Sequence, residues 1–155
     1  MKQIMDNNAV INVGLASFGT SGRIFHAPFI TADPRFRLAA VVERSKDTAR
    51  AIYPEVKIFR SLGQLLDDDA IELVVVNTPD DTHYQYARQA LEAGKHVIVE
   101  TPFVTGIAQG AELISLAAEP GLMLSVYQTR RWDSDYPTAR QLIERGGLGP
   151  LVECA

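Results

Sequence analysis

The chain has one cysteine in 155 residues, Cys154, beside its C-terminus. That excludes an internal disulfide framework and a multi-cysteine zinc site. No apolar run approaches the ~18 residues that a membrane-crossing helix needs. The opening Met-Lys-Gln-Ile-Met-Asp-Asn-Asn also lacks the apolar stretch of a signal peptide. The expectation is a cytoplasmic protein with no membrane partner. Basic residues are not in excess either, with 15 Lys and Arg against 19 Asp and Glu and a net charge of −4. Without a basic footprint, nucleic acid is not an expected partner. Repeats and low-complexity tracts are missing too. What remains is an ordinary globular composition, long enough for one domain with a real core.

The feature that is present lies between Val10 and Pro28, where an apolar strand runs into a glycine-rich turn that opens a helix. Ser17, Gly19 and Gly22 occupy the three marked positions of the dinucleotide fingerprint G-x-G-x-x-G. A helix N-terminus offers unpaired backbone N–H groups and a partial positive charge to a pyrophosphate. In this pattern Gly19 clears the approach and Gly22 allows close helix–strand packing. Ser17 replaces the glycine of the tight turn, retaining small size.

Further apolar, β-branched runs predict strands over Val10–Ala16, Phe36–Val42, Lys57–Phe59, Ile71–Asn77, His96–Glu100 and Leu122–Val126. Several are continuous rather than alternating, as in parallel strands buried on both faces. Between them lie helix signals: a Ser61/Gln64 capping box, Asp80 and Asp81 as N-cap candidates for a helix over Asp81–Ala93, and Thr105 as the next cap. Gly94 sits where a C-terminal glycine belongs, and Ile107, Ala111, Ile114 and Ala118 share one helical face. Asp133–Arg145 reads as a helix closed by Gly146-Gly147, and Pro150–Ala155 as the start of another strand. Alternating βα units predict an α/β fold with a doubly wound parallel sheet.

Four clusters fall at the strand ends, where ligands bind in open α/β sheets. The first is the glycine turn. In the second, Glu43 lies 21 residues after Gly22, close to the ~20 residues at which a fingerprint acid accepts from the adenosine ribose hydroxyls. Such a carboxylate favours NAD, whereas neighbouring Arg44 suits adenine stacking or a 2′-phosphate. The pair also reads as a solvated strand end. The third is Asn77-Thr78-Pro79 with His83 a turn later, equally a plain strand-to-helix turn with a structural histidine. The fourth comprises Glu100-Thr101-Pro102, ending a buried strand, and Tyr127–Asp133, a basic and aromatic segment that also reads as a helix start.

Taken in order, these clusters resemble the glucose–fructose oxidoreductase and inositol dehydrogenase family (Gfo/Idh/MocA). The resemblance runs through the glycine turn, His26-Ala27-Pro28, Thr78-Pro79 with His83, Ala93–Val97 and Glu100-Thr101-Pro102. Arg130–Asp135 looks like the sugar- and polyol-type branch that includes some scyllo-inositol dehydrogenases. The resemblance implies an NAD(P)-dependent oxidoreductase acting on a sugar- or polyol-like hydroxyl, with a second α/β domain supplying most of the substrate site and the oligomer contact. Residues 1–149 would be the Rossmann domain and residues 150–155 the start of the second. Leu148, Leu151 and Val152 would then promote self-association.

On this resemblance Ser17, Phe18, Gly19, Thr20, Ser21 and Gly22 hold the pyrophosphate, and Glu43 and Arg44 the adenosine ribose. Asn77, Thr78, Pro79, His83, Glu100, Thr101 and Gln128 line the nicotinamide half, with no metal. Thr101 stands where the family has the lysine of Glu-Lys-Pro, and a neutral hydroxyl cannot replace a cation in polarising a substrate. The expectation is NAD or NADP, with NAD slightly favoured, and no turnover by this chain alone. A non-catalytic dinucleotide sensor is the alternative, favoured by Thr101. A decayed nucleotide site is a third reading, supported only by Ser17.

Overall fold

A computed structural model describes residues 9–118, 120–146 and 149. Six strands form one sheet: β1 (Ile11–Leu15), β2 (Phe36–Val42), β3 (Lys57–Phe59), β4 (Leu73–Val76), β5 (His96–Val99) and β6 (Leu124–Val126). Their order is β3-β2-β1-β4-β5-β6 and every pairing is parallel. The helices are α1 (Ala27–Ala32), α2 (Thr48–Ile52), α3 (Leu62–Leu66), α4 (His83–Glu92), α5 (Ile107–Ala118) and α6 (Asp135–Glu144). A π-helical turn, Gly22–His26, leads directly into α1.

The doubly wound parallel sheet is thus present, and its two faces carry separate cores. Val74, Val76, Val97 and Val99 pack with Leu65, Ala87, Leu91 and Leu113. Val13, Leu15, Val41 and Val75 pack with Phe18, Ala27 and Ala49. All four residues of β4 are buried, so its run of Leu and Val is continuous rather than alternating. Strand order reverses between β1 and β4, and crevices form beyond the strand ends at such a reversal.

The predicted bounds of β2 and β3 match, while the other four strands are shorter than the apolar runs that predict them. Asn77 and Glu100 fall just past the strand ends; the Glu100 N–H still reaches the Val76 carbonyl at 3.0 Å, while both side chains bond to the glycine-turn region. Ser61 caps α3 by accepting from the Gln64 N–H at 3.3 Å, but the Gln64 side chain accepts from Arg60 N–H, one residue earlier than a capping box requires. Neither Asp80 nor Asp81 caps α4. Asp80–Thr82 forms a 3₁₀ turn, and α4 begins at His83. The Thr105 hydroxyl lies against the Gln109 side chain, 3.3 Å from its Oε1.

Gly94 has φ +74° and ends α4 with its own N–H on the Leu91 carbonyl and that of Lys95 on Ala90, a left-handed cap suited to glycine. The apolar stripe Ile107, Ala111, Ile114 and Ala118 faces outward, and α5 buries Gly110, Leu113 and Ala117 instead. The helix after β6 starts at Asp135, and Gly146 closes it at φ +69°. Gly147, the predicted strand at 150–155, Leu148, Leu151 and Val152 lie outside the described residues. No described helix is long and apolar enough to cross a membrane.

Two substitutions on α5 separate its faces. Leu113 is fully buried, so Leu113→Ala is expected to cost about 2–5 kcal/mol in urea unfolding. Ile107 is 94% exposed, so Ile107→Ser is expected to stay within about 0.5 kcal/mol.

Candidate functional site

The glycine turn between β1 and α1 is held from across the strand-order reversal. Asn77, just after β4, accepts from the Ser17 N–H at 3.0 Å through Oδ1 and donates from Nδ2 to the Ser17 carbonyl at 2.9 Å. Asn77, expected in the nicotinamide half, thus grips the turn through one donor and one acceptor of its amide while also lining a crevice. The Ser17 hydroxyl in turn accepts from the Gly19 N–H at 3.2 Å, bracing the turn where the fingerprint has its first glycine.

The two remaining glycines have different reasons. A Cβ on Gly22 would lie 2.5 Å from the Ser17 carbonyl oxygen and 2.9 Å from Asn77 Nδ2, so the helix start closes on the turn only without a side chain. A Cβ on Gly19 would meet only the Ser17 hydroxyl, at 3.5 Å. Gly19 and Thr20 are exposed, and the first helical turn leaves N–H groups without intrahelical carbonyls. This open, glycine-lined helix start suits a pyrophosphate. Phe18 contributes backbone only, because its ring is buried edge-on to Tyr53.

Two crevices flank the turn and meet at Thr78. One, of about 930 Å³, is lined by Ser17, Gly19, Thr20, Glu43, Arg44, Lys46, Arg60 and Pro79 among others. The other, of about 890 Å³, collects Ser21, Asn77, His83, Glu100, Thr101, Gln128 and the segment Thr129–Asp133, with Phe25 and Phe29 at its edge. The predicted site residues therefore converge on the carboxyl ends of the strands.

Their side chains are not equally available. Glu43 is buried. Its Oε1 accepts from the Thr48 N–H at 3.2 Å and from the Thr48 hydroxyl, and its Oε2 from the Ala49 N–H at 3.0 Å. The carboxylate expected to face a ribose is turned into the start of α2. His83 is 1% exposed, with Nδ1 2.7 Å from the Pro102 carbonyl oxygen and Nε2 2.8 Å from that of Thr78. It ties two crevice loops together. Thr101 and Gln128 are exposed, and Thr101 donates its backbone N–H to Glu100 Oε2 at 3.3 Å.

The residue absent from the expected set is His26, from the π-helical turn. Its Nε2 lies 2.8 Å from Glu100 Oε1, the same oxygen that accepts from the Ser21 hydroxyl at 2.7 Å. Burial lowers the His26 pKa, outweighing the hydrogen bond and charge of Glu100 that raise it. The imidazole and the Glu100 carboxyl thus share a hydrogen bond in a buried setting. Tyr127 covers the imidazole at 4.4 Å between ring centroids and donates its hydroxyl to the Phe25 carbonyl at 2.8 Å. Burial, followed by the charges of Glu100 and Asp133, raises the Tyr127 pKa. The only sequence signal for His26 was its place in the His-Ala-Pro segment.

A lowered histidine pKa fixes the sign of a pH effect. The unfolded chain takes up this proton near pH ~6.5, and the folded protein only at lower pH. His26 therefore costs no stability well above that pH and destabilises as pH falls through it. Urea unfolding from about pH 7.5 down to 5.5 is expected to show a smaller loss of stability in His26→Gln than in the parent.

The sequence profile of an oxidoreductase family with an NAD-binding Rossmann fold matches residues 11–128. The chain is 42% identical over 142 residues to the uncharacterized oxidoreductase YdgJ of Escherichia coli, covering 92% of this chain and 41% of YdgJ. It is 35% identical over 138 residues to IolW of Bacillus subtilis, a scyllo-inositol 2-dehydrogenase (NADP(+)), covering 89% of this chain and 38% of IolW. A crystal structure of an oxidoreductase from Bacteroides fragilis superposes with a TM-score of 0.83 at 55% identity, covering 93% of this chain and 45% of that one. The chain thus spans about two-fifths of the length of these curated relatives. With the fingerprint turn, the strand-order reversal and this match in agreement, the chain belongs to the Gfo/Idh/MocA family of oxidoreductases with an NAD-binding Rossmann fold.

Proposed function

We propose that these residues form the dinucleotide-binding part of a dehydrogenase that moves a hydride between a nicotinamide and a hydroxyl-bearing carbon of a sugar or polyol. The observation that carries the reading is the glycine turn, gripped by Asn77 through both backbone groups of Ser17 and opening an exposed helix start at the sheet's reversal. The relative IolW, a scyllo-inositol 2-dehydrogenase (NADP(+)), supports the substrate class.

The nicotinamide cofactor supplies the hydride chemistry when bound. The chain's own residues orient it. Gly19–Gly22 receive the pyrophosphate, Thr78 and Pro79 line the passage between the crevices, and Glu100 with Gln128 line the nicotinamide end. Glu100 is held by Ser21 and His26 through one oxygen, so its position is coupled to the phosphate turn. Thr101 projects from the exposed loop beside it but brings no ionisable group. Glu100 is held by Ser21, His26 and the Thr101 N–H, so proton transfer to or from the substrate hydroxyl is assigned to residues outside this set, and the described residues alone are expected to bind without turning over. Thr101 also favours a second reading, a family member that senses dinucleotide without catalysis.

Equilibrium titration of NADPH and NADH against this chain is expected to give saturable binding, with no turnover of sugars or polyols. Gly22→Val is expected to abolish binding, because its side chain meets the Ser17 backbone. Failure of both dinucleotides to bind overturns the proposal, and measurable turnover overturns the assignment of proton transfer elsewhere. In a chain extended to the relatives' full length, dehydrogenase activity with Thr101 intact supports an enzyme. Activity that emerges only in Thr101→Lys supports the sensor reading.

A further inference from the structure

We infer that this chain selects a dinucleotide whose adenosine ribose carries a phosphate, an NADP-type cofactor, and that Arg44 and Lys46 are the residues that select it. The inference rests on the dinucleotide reading above and concerns only its adenosine end.

The first ground is that the residue that would favour NAD is already engaged. An acid at the end of β2 discriminates by accepting from both ribose hydroxyls and repelling a phosphate in their place. Glu43 accepts instead from the Thr48 N–H and hydroxyl and from the Ala49 N–H, spending both oxygens on its own chain. It is only 7% exposed. Turning this carboxylate toward a ribose diol would weaken the contacts that hold the start of α2.

The second ground is the charge of the surrounding crevice. Its lining includes four cationic side chains, Arg23, Arg44, Lys46 and Arg60, against the two acids Glu43 and Asp81. This excess stands out in a chain whose net charge is −4. Among the described residues, Arg23, Arg44 and Lys46 have no carboxylate within ion-pair distance. Arg44 and Lys46 are exposed at the crevice. A phosphate monoester carries roughly −1.5 to −2 charges at neutral pH and takes charge-assisted hydrogen bonds from such groups.

The third ground is that the loop presenting these cations is braced. Arg60, following β3, donates from one terminal nitrogen to the carbonyls of Glu43, at 2.9 Å, and Lys46, at 2.6 Å. Its other terminal nitrogen donates to Asp47 Oδ1 at 2.8 Å. Arg60 thus secures both ends of the segment that carries Arg44, Ser45 and Lys46. Its guanidinium is occupied by this role and by Asp47, which leaves Arg44 and Lys46 to meet the phosphate.

The test is calorimetric titration of NADPH and NADH against the intact chain, with adenosine 2′-phosphate and adenosine 5′-phosphate as fragment competitors. NADPH is expected to bind at least ~10-fold more tightly than NADH, the scale of one charge-assisted contact. Adenosine 2′-phosphate should be the stronger competitor. In Arg44→Ala/Lys46→Ala the NADPH-to-NADH affinity ratio should fall toward one, while Arg44→Lys retains part of it. Both positions are exposed, and a thermal melt matching the parent separates lost selectivity from lost fold. Equal or tighter binding of NADH by the parent overturns the inference and leaves the dinucleotide reading standing. A double variant that keeps the full preference overturns the assignment to Arg44 and Lys46. Binding of neither dinucleotide overturns both readings at once.

Discussion

The paired hydrogen bonds between the Asn77 side chain and the Ser17 backbone are the contact on which the site's geometry depends. They connect the end of β4 to the turn after β1, the two strands between which the sheet reverses order. Because the amide offers both a donor and an acceptor here, the backbone N–H and carbonyl of Ser17 are both satisfied and the turn is fixed in orientation as well as position. Gly22 then closes against the same pair of residues, with no room for a Cβ. The helix start, its free N–H groups and the crevices on either side all take their placement from this junction.

A second set of contacts brings the far half of the sheet to the same turn. Glu100, at the end of β5, accepts from Ser21 and His26 on one oxygen, and Tyr127, after β6, covers the imidazole and reaches the Phe25 carbonyl. The π-helical turn Gly22–His26 is where both contacts arrive. Extra residues of this kind in a helix are frequent at functional sites, and this one orients His26 inward toward Glu100. The crevice wall is thereby continuous from the glycine turn to the last strand.

The architecture was legible in the sequence because buried parallel strands leave continuous apolar runs and the intervening helices carry caps and glycine stops. Phe36–Val42 and Lys57–Phe59 could be bounded from their residues alone. Bounds failed where a polar strand-end residue had a distant partner, as with Asn77 and Glu100, since a run of residue types does not reveal what lies across the sheet. The stripe on α5 failed for a related reason: two apolar faces compete in that helix, and the one that packs is Gly110, Leu113 and Ala117, with Leu113 and Ala117 in the core. At the site, residue positions were legible and roles less so. Glu43, Asn77 and His83 all stand at the crevices, and each also bonds to the chain itself, which residue types alone do not reveal. His26 carried no local signal beyond its motif, because its importance comes from burial against Glu100.

The contacts that assemble the crevice span long stretches of chain: 60 residues from Ser17 to Asn77, 74 from His26 to Glu100 and 79 from Ser21 to Glu100. None can form from neighbouring residues, so the junction between glycine turn and sheet rests on long-range contacts. During synthesis, the pyrophosphate turn emerges long before the residues that secure it. A ligand that recognises the finished crevice therefore has nothing to hold on a partly built chain and acts by stabilising the completed sheet as a whole. Occupancy of the site becomes a report on whether the entire domain has folded.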